Sequence, residues 1–200
     1  MLCVPASSLY AARMSEKFAL LGSITDVRPA HAGLVGVSGS HGGLFPAGVA
    51  SRAGLRAVIF NDAGIGRDNA GVAGVLGLAD VGMAAAAVDC NSARIGDAQD
   101  MLAHGRISTA NSVASDIGVV SGQSVGEALV LLMAVGMPTA QMPAPPEAQS
   151  QITLPSGLTV FLLDSASMVG DAHIGEVVVT GSHGGLIGGD PARALKAQAR

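Results

Sequence analysis

The sequence predicts an α/β fold: a mostly parallel, Rossmann-like, three-layer sheet with helices on both faces. Two observations lead to this fold class. Short apolar runs typical of buried strands alternate with segments of helical character from residue 34 onward. The turns between them are short and rich in glycine or polar residues, and strands that are linked by helices in this way pair in parallel through right-handed crossovers.

The individual elements follow from these apolar runs and from the residues that end them. Strands are expected at 34–38, 55–60, 81–88, 152–154, 158–163 and 176–180. Helices are expected at 47–53, 68–78, 96–103, 108–117, 125–135 and from 191 toward the end of the sequence. The Pro-Ser-Gly turn at 155–157 predicts a hairpin between the two strands that flank it.

Length and composition favour one buried domain that belongs to an oligomer. The chain has 200 residues, of which 49% are hydrophobic and only 13% are charged. We expect an N-terminal lead-in over residues 1–32 and a single α/β domain over 33–200, with a Pro-rich linker at 138–149. Because so few residues are charged, much of the surface has to be covered, and we expect a homo-oligomer.

The same composition argues against nucleic acid, membrane and export. The net charge is −4 and there is no Trp and one Tyr, so the chain lacks a basic face and a platform for stacking bases. The longest apolar run, 128–135, is too short to span a bilayer, and the N-terminus does not resemble a signal peptide. Cys3 and Cys90 alone do not indicate a disulfide framework, so we expect a cytoplasmic protein, with Met1 and Met14 as alternative starts.

The most specific feature is the six-residue motif Gly-Ser-His-Gly-Gly-Leu, which occurs at 39–44 and again at 181–186. A strand-like run precedes each copy and a helix-like segment follows it. Backbone N–H groups and a helix N-terminus converge at such a turn, which is a geometry suited to an anion. The two copies indicate either an old duplication or two loops selected for the same ligand geometry.

The motif supplies the main candidate catalytic residues. His41 and His183 are candidate acid/base groups or metal ligands. Oxyanion or phosphate binding is expected from two serines and from glycine amides, namely Ser40, Ser182, Gly42, Gly43, Gly184 and Gly185. The structural alternative is a tight turn in which each histidine caps a helix.

A more specific hypothesis makes the motif serine a nucleophile. Ser182 stands between Thr180-Gly181 and His183-Gly184, a context that resembles the nucleophile elbow of the α/β-hydrolases, and Ser40 has the same context. The resemblance implies acyl transfer through a covalent serine intermediate. It covers five residues in each copy, has Thr180 and Ser38 where that family has glycine, and is not followed by the family's acid-then-histidine order.

Three aspartates follow apolar strands and are expected at the same sheet edge as the histidines: Asp62, Asp89 and Asp164. Such a carboxylate could orient a histidine, act as a general base, or help to hold a divalent ion. The structural alternative is the N-cap of the next helix. No spacing typical of a zinc site is present, so no cofactor is predicted, and a divalent metal stays an alternative.

Cys90 and Arg94 complete the candidate residues. Cys90 follows a strand, where a helix N-terminus would lower the pKa of a thiol, although free cysteines are more often small buried residues. Arg94, in the same turn, is a candidate for gripping a substrate carboxylate, and its structural alternative is a surface arginine. We assign Asp89 and Cys90 to substrate binding with Arg94.

Together these residues favour an enzyme acting on a small-molecule substrate, a carboxylate or an amide, by hydrolysis or another acid/base reaction. Neither a dinucleotide fingerprint after a strand nor a Walker-type Gly-Lys-Ser/Thr occurs in the sequence. Two alternatives from other classes stay open. One is a non-catalytic anion-binding, phosphate-binding or regulatory domain, and the other is an oligomeric assembly subunit.

Overall fold

A computed structural model describes residues 17–144, 147–182 and 191. The chain divides into two compact units, Met1–Ala144 and Pro145–Arg200, and each is described by itself. The helix predicted beyond residue 191 lies outside the described residues, as do His183, Gly184 and Gly185 of the second motif. No helix in the described ranges is long and apolar enough to cross a bilayer.

The first unit is built on a five-stranded sheet whose strand order follows the sequence. Its strands are β1 (Phe18–Leu21), β2 (Val35–His41), β3 (Ala57–Asn61), β4 (Ala84–Val88) and β5 (Ile107–Ala110). The first four strands are parallel, and β5 is antiparallel to β4. This confirms the predicted α/β fold with a mostly parallel sheet.

Five helices connect or follow these strands in the first unit. They are α1 (Leu44–Arg52), α2 (Ala73–Gly77), α3 (Ala98–His104), α4 (Ser112–Asp116) and α5 (Val125–Leu132). The 3-10 turns lie at Ile24–Asp26, Pro29–His31, Arg67–Asn69 and Leu78–Val81. The chain between β1 and β2 therefore contains two 3-10 turns and no α-helix, whereas α1 connects β2 to β3.

The core of the first unit consists of two clusters that share the strands of the sheet. Ile59 and Phe60, neighbours on β3, belong to different clusters because successive side chains of a strand point to opposite faces. The cluster of Ile59 includes Met101 of α3 and Leu129 of α5. The cluster of Phe60 includes Val75 of α2. Since β3 is buried along its whole length, its last residue sets the position of the loop that follows it.

Two parts of the first unit differ from the prediction. Strand β1 lies in the N-terminal segment, for which the sequence predicted no strand, and its four residues carry little periodicity of their own. The helix predicted at 108–117 is wrong at its start, because β5 occupies 107–110 and α4 begins at Ser112. Asn111 separates the two elements by capping α4, where its side chain accepts from the Ala114 amide.

The second unit contains a three-stranded sheet. Strands β6 (Gln149–Thr153) and β7 (Thr159–Leu163) are antiparallel, which confirms the predicted hairpin, and β8 (Val177–Thr180) pairs in parallel with β7. Two 3-10 turns, Ala166–Met168 and Asp171–His173, connect β7 to β8. The described part of the predicted linker contains no helix, and β6 begins at its last residue, Gln149.

Asn111 ties three elements of the first unit together through its side chain. It is 1% exposed. Its Nδ2 donates to the carbonyl oxygens of Val75 (3.1 Å) and Met83 (2.8 Å). Its Oδ1 accepts from the backbone N–H groups of Ala85 (3.1 Å) and Ala114 (3.0 Å). One buried amide thus satisfies four backbone groups, a role that the sequence did not reveal.

Asn111→Ala is expected to lower the free energy of unfolding by about 3 kcal/mol or more, because several buried backbone groups lose their partner together. The loss is measured from urea unfolding curves at a fixed protein concentration. Ser115→Ala, at an exposed position of the same helix, is the matched control and should change stability by less than about 0.5 kcal/mol. Equal effects of the two substitutions would contradict this role of Asn111.

Candidate functional site

The carboxyl ends of β2, β3 and β4 bring four of the candidate residues to one edge of the sheet. His41 is the last residue of β2, Asp62 follows β3, and Asp89 and Cys90 follow β4. The ligating atoms of Asp62, Asp89 and Cys90 lie within 4.8 Å of one another, and we call these three residues the Asp-Asp-Cys cluster. In the parallel pair of β2 and β3, His41 stands opposite Asn61, the residue before Asp62.

Asp62 is held in place by backbone groups on two loops. Its side chain is buried, with the residue 3% exposed. Its Oδ1 accepts from the backbone N–H of Gly64 at 2.8 Å and from that of Cys90 at 3.0 Å. The Asp62 N–H in turn donates to the carbonyl oxygen of Val88 at 2.8 Å. The carboxylate therefore has a fixed position between the loops after β3 and β4.

The environment of Cys90 keeps its thiol protonated. Burial raises the pKa of Cys90 above its ordinary value, and the charge of Asp62, a hydrogen bond from the thiol to Asp62 and the charge of Asp89 raise it further. A backbone hydrogen bond from Gly64 opposes these effects. The sequence predicted a lowered pKa from a helix N-terminus, but the residues after Cys90 form turns and the next helix begins only at Ala98.

His41 accepts a hydrogen bond within its own loop. The Gly43 N–H donates to Nδ1 of His41 at 3.1 Å. In the neutral ring the proton is then on Nε2, so His41 has a defined tautomer. The ring lies so close to the chain that a Cβ at position 43 would be 2.6 Å from Cε1, which explains the glycine there. This contact agrees with the structural interpretation of the motif histidine and fixes the orientation of the ring.

The backbone N–H groups of Gly42 and Gly43 both have hydrogen-bond partners within the chain. The Gly42 N–H donates to the carbonyl oxygen of Asn61 at 2.9 Å, and the Gly43 N–H donates to His41. Both glycines are buried. In this conformation the two N–H groups stabilise the turn between β2 and α1, and they do not converge on a common point as an anion site requires.

The hydroxyls of the two motif serines each accept a hydrogen bond from a backbone N–H group within their own unit. Ser40 is 7% exposed, and its Oγ accepts from the backbone N–H of Ile24 at 3.0 Å. Ser182 accepts from the backbone N–H of Ala166 at 2.8 Å. The hydroxyl of Ser40 thereby fixes the first 3-10 turn after β1, and the hydroxyl of Ser182 fixes the first 3-10 turn after β7.

Arg94 is directed toward helix α3. Its side chain is 74% exposed and Nη2 lies 3.0 Å from Oδ1 of Asp100 and 3.3 Å from Oδ2 of Asp97. The backbone N–H of Arg94 also donates to Asp100 and, as the largest of several causes, holds the pKa of that carboxyl below its usual range. The structure therefore does not bring the guanidinium together with the cluster. Asp164 follows β7, which belongs to the separate sheet of the second unit, so the prediction that it shares a sheet edge with Asp62 and Asp89 is wrong. Its carboxylate accepts from the Ala148 N–H at 2.8 Å.

The loop after β3 carries unusual backbone conformations beside Asp62. Four of its non-glycine residues have positive φ: Ala63 (49°), Ile65 (64°), Asp68 (56°) and Asn69 (58°). A β-branched residue such as Ile65 rarely adopts this region, and each such residue costs about 1–3 kcal/mol. Residues 63–70 are all exposed, so core packing does not force these angles. The helix predicted at 68–78 is shortened for this reason, and α2 begins only at Ala73.

Asn61 also supports this loop, although the sequence did not predict it as a site residue. It is fully buried, its Oδ1 accepts from the Ala63 N–H at 2.9 Å, and its Nδ2 donates to the carbonyl oxygen of Ala93 at 3.3 Å. Asn61 therefore connects the loops after β3 and β4, as Asp62 does. The sequence feature that could have identified Asn61 is its position as an amide residue at the end of an otherwise apolar strand.

The resulting site combines proton donors with carboxylates. The protonated thiol of Cys90 and the N–H of His41 can donate, and the carboxylates of Asp62 and Asp89 can accept. This combination suits proton transfer to and from a small substrate. The three groups of the cluster could also ligate a divalent ion, for which Cys90 would first have to lose its proton.

Comparisons with known proteins add no family to this description. No protein-family model matches the chain, and no curated protein and no solved structure matches it either. Any function assigned to the chain therefore rests on its own residues and their geometry.

Asp62→Asn is expected to lower the pKa of the Cys90 thiol, because the substitution removes the nearby negative charge that disfavours the thiolate. The pKa is measured from the pH dependence of iodoacetamide alkylation at Cys90, with mass spectrometry separating this residue from Cys3. Asp89→Asn should lower the pKa less, since the charge of Asp89 contributes less than that of Asp62. An unchanged or higher pKa in Asp62→Asn would contradict the described environment.

Proposed function

We propose that the protein is an enzyme that transfers protons to and from a small amide, by hydrolysis or another acid/base reaction. A free carboxylate suits the site less well, because the cluster carries two aspartates and Arg94 pairs with Asp97 and Asp100 instead. The site of the reaction is the Asp-Asp-Cys cluster together with His41. The observation that carries the proposal is the close grouping of two carboxylates and a protonated thiol at the carboxyl edge of a parallel sheet. Groups of opposite protonation state at one site are what acid/base catalysis requires.

Each residue has a role that follows from its contacts. Asp62 is the general base, because its position is fixed by two backbone N–H groups to Oδ1. Cys90 is the general acid, since its raised pKa keeps a proton on Sγ at neutral pH. His41 donates from Nε2 to an oxygen on which negative charge develops, with its ring held by the Gly43 N–H. Asp89 keeps the thiol protonated and is the second acceptor.

The loop after β3 supports the same assignment. Strained backbone persists where the surrounding structure over-determines it, and such residues cluster at active sites and ligand clamps. Here the strained positions follow Asp62 directly, and a Cβ at Gly64 would lie 3.7 Å from Sγ of Cys90. The exposed loop is therefore in position to contact a substrate bound at the cluster.

We infer further that the first unit is a Rossmann-like, three-layer arrangement. The two core clusters support this inference, because one contains residues of α3, α4 and α5 and the other contains residues of α1 and α2. In open α/β sheets ligands bind outside the carboxyl ends of the strands. The proposed site occupies that position.

Deuterium incorporation and amide hydrolysis, followed together by proton NMR in D2O, test the proposal. The probes are small mono- and dicarboxylates and their amides. The wild-type protein should turn over at least one of them, and Asp62→Asn should lower its rate by about two to four orders of magnitude. The amide oxygen of Asn can still accept both backbone hydrogen bonds, so the fold should be kept, as circular dichroism would verify.

Asp116→Asn is the matched control, since this aspartate is exposed at the end of α4. It should keep the wild-type rate. Equal rates in Asp62→Asn and Asp116→Asn would remove Asp62 from the mechanism. The absence of turnover with every probe would overturn the enzyme proposal, and activity that requires an added divalent ion would replace thiol-based acid catalysis by metal-assisted chemistry.

A further inference from the structure

The similarity between the two parts of the chain extends well beyond the six-residue motif. Residues 18–44 and 160–186 align without a gap, and fifteen of the 27 aligned positions are identical. The identical positions before the motif include Ser23 and Ser165, His31 and His173, and Gly33 and Gly175. The aligned positions are 142 residues apart throughout.

The described strands in these two stretches pair in the same register. In the first unit Phe18 of β1 stands opposite Val35 of β2. In the second unit Val160 of β7 stands opposite Val177 of β8. Both pairs are parallel, run for four residues, and consist of aligned positions. We call the two strands and their connection the strand module.

The connections inside the two strand modules are also equivalent. Ser23 and Ser165 each cap a 3-10 turn that begins at the next residue. The second 3-10 turn is closed by a histidine, since the Arg28 N–H donates to Nδ1 of His31 (3.0 Å) and the Gly170 N–H donates to Nδ1 of His173 (3.1 Å). The hydroxyls of Ser40 and Ser182 accept from aligned backbone N–H groups, as described above.

The two strand modules differ in what covers their second strand. In the first unit β2 lies between β1 and β3, and residues 35–40 are buried. Among the described residues β8 pairs only with β7. The other edge of β8 corresponds to the edge of β2 that pairs with β3, and it has no described strand beside it. Val177 and Val178 are half-buried, and Val179 is 54% exposed.

We propose that this edge of β8 is an interface between two copies of the chain, in which β8 of one copy pairs antiparallel with β8 of the other about a two-fold axis. The first unit supports the pairing, because the equivalent edge of β2 already accepts a strand. A two-fold contact uses the same surface twice and closes on itself. The result is a continuous six-stranded sheet made of two copies of the second unit.

The composition of β8 fits this partner. The strand is Val-Val-Val-Thr, without charge, and it has neither the proline nor the lysine by which exposed edges are commonly protected. With Val178 opposite Val178 of the second copy, as a two-fold axis requires for one central residue, Glu176 stands opposite Thr180, so no like charges meet. The other edge of the same sheet, β6, is different, because it carries Gln149, Ser150 and Gln151 and all of its residues are exposed.

Val179→Lys tests the interface, since position 179 is exposed and a lysine there should leave the single chain folded. Sedimentation over a wide concentration range should give twice the mass of one chain for the wild type and the mass of one chain for Val179→Lys. Gln151→Lys, on β6 at the opposite edge, is the matched control and should keep the doubled mass. Circular dichroism verifies that both variants are folded.

Hydrogen exchange at residues 177–180 supplies the second measurement. Because the Gly181 N–H donates to Leu163 of β7 and successive N–H groups of a strand alternate in direction, the amides of Val178 and Thr180 face the free edge. These two amides should be protected at high concentration in the wild type and should lose that protection on dilution and in Val179→Lys. A wild-type mass of one chain at every concentration would overturn the proposal, and so would a doubled mass that persists in Val179→Lys. Protection of these two amides that does not depend on concentration would show that residues of the same chain cover the edge, which would also overturn it. None of these results depends on the proposed enzyme activity.

Discussion

The carboxylate of Asp62 is the contact on which the candidate site depends. One of its oxygens receives backbone N–H groups from Gly64 and Cys90, so it joins the loops after two neighbouring strands. Burial is the largest cause of the raised pKa of the Cys90 thiol, and the same carboxylate raises this pKa further through its charge and a hydrogen bond. Asp62 therefore contributes both to the geometry and to the protonation state at this edge, and the parallel pairing of β2, β3 and β4 brings His41 to the same edge.

The motif that dominates the sequence divides into two parts in the structure. Its Gly-Ser half is architectural, because Ser40 and Ser182 fix equivalent backbone turns and a Cβ at Gly39 or Gly181 would meet the carbonyl oxygen of the aligned residues Gly22 and Asp164. Its His-Gly-Gly half, described only in the first copy, places an imidazole at the carboxyl edge of the sheet. The first half of the motif thus serves packing, and its second half determines where a histidine lies.

The sequence predicted the alternation of strands and helices and the edge at which Asp62, Asp89 and Cys90 meet. These follow from apolar runs and from the polar residues that end them. The sequence did not predict hydrogen bonds between residues that are distant along the chain. The hydroxyl of Ser40 is engaged by a backbone N–H sixteen residues away, and Asn111 bonds to groups between three and 36 residues away. Strand β1 is likewise set by its pairing with β2 rather than by a local pattern.

We propose that ligands bind at the Asp-Asp-Cys cluster rather than at the glycine amides of the first motif. Amide chemical-shift mapping of nitrogen-15-labelled protein, titrated with acetate, malonate and acetamide, tests this most directly. Binding at the cluster should give saturable shifts centred on residues 62–66 and 89–91. Shifts confined to residues 42–44 would instead support an anion site at the glycine turn, and either that result or the absence of saturable shifts would exclude the cluster as the binding site.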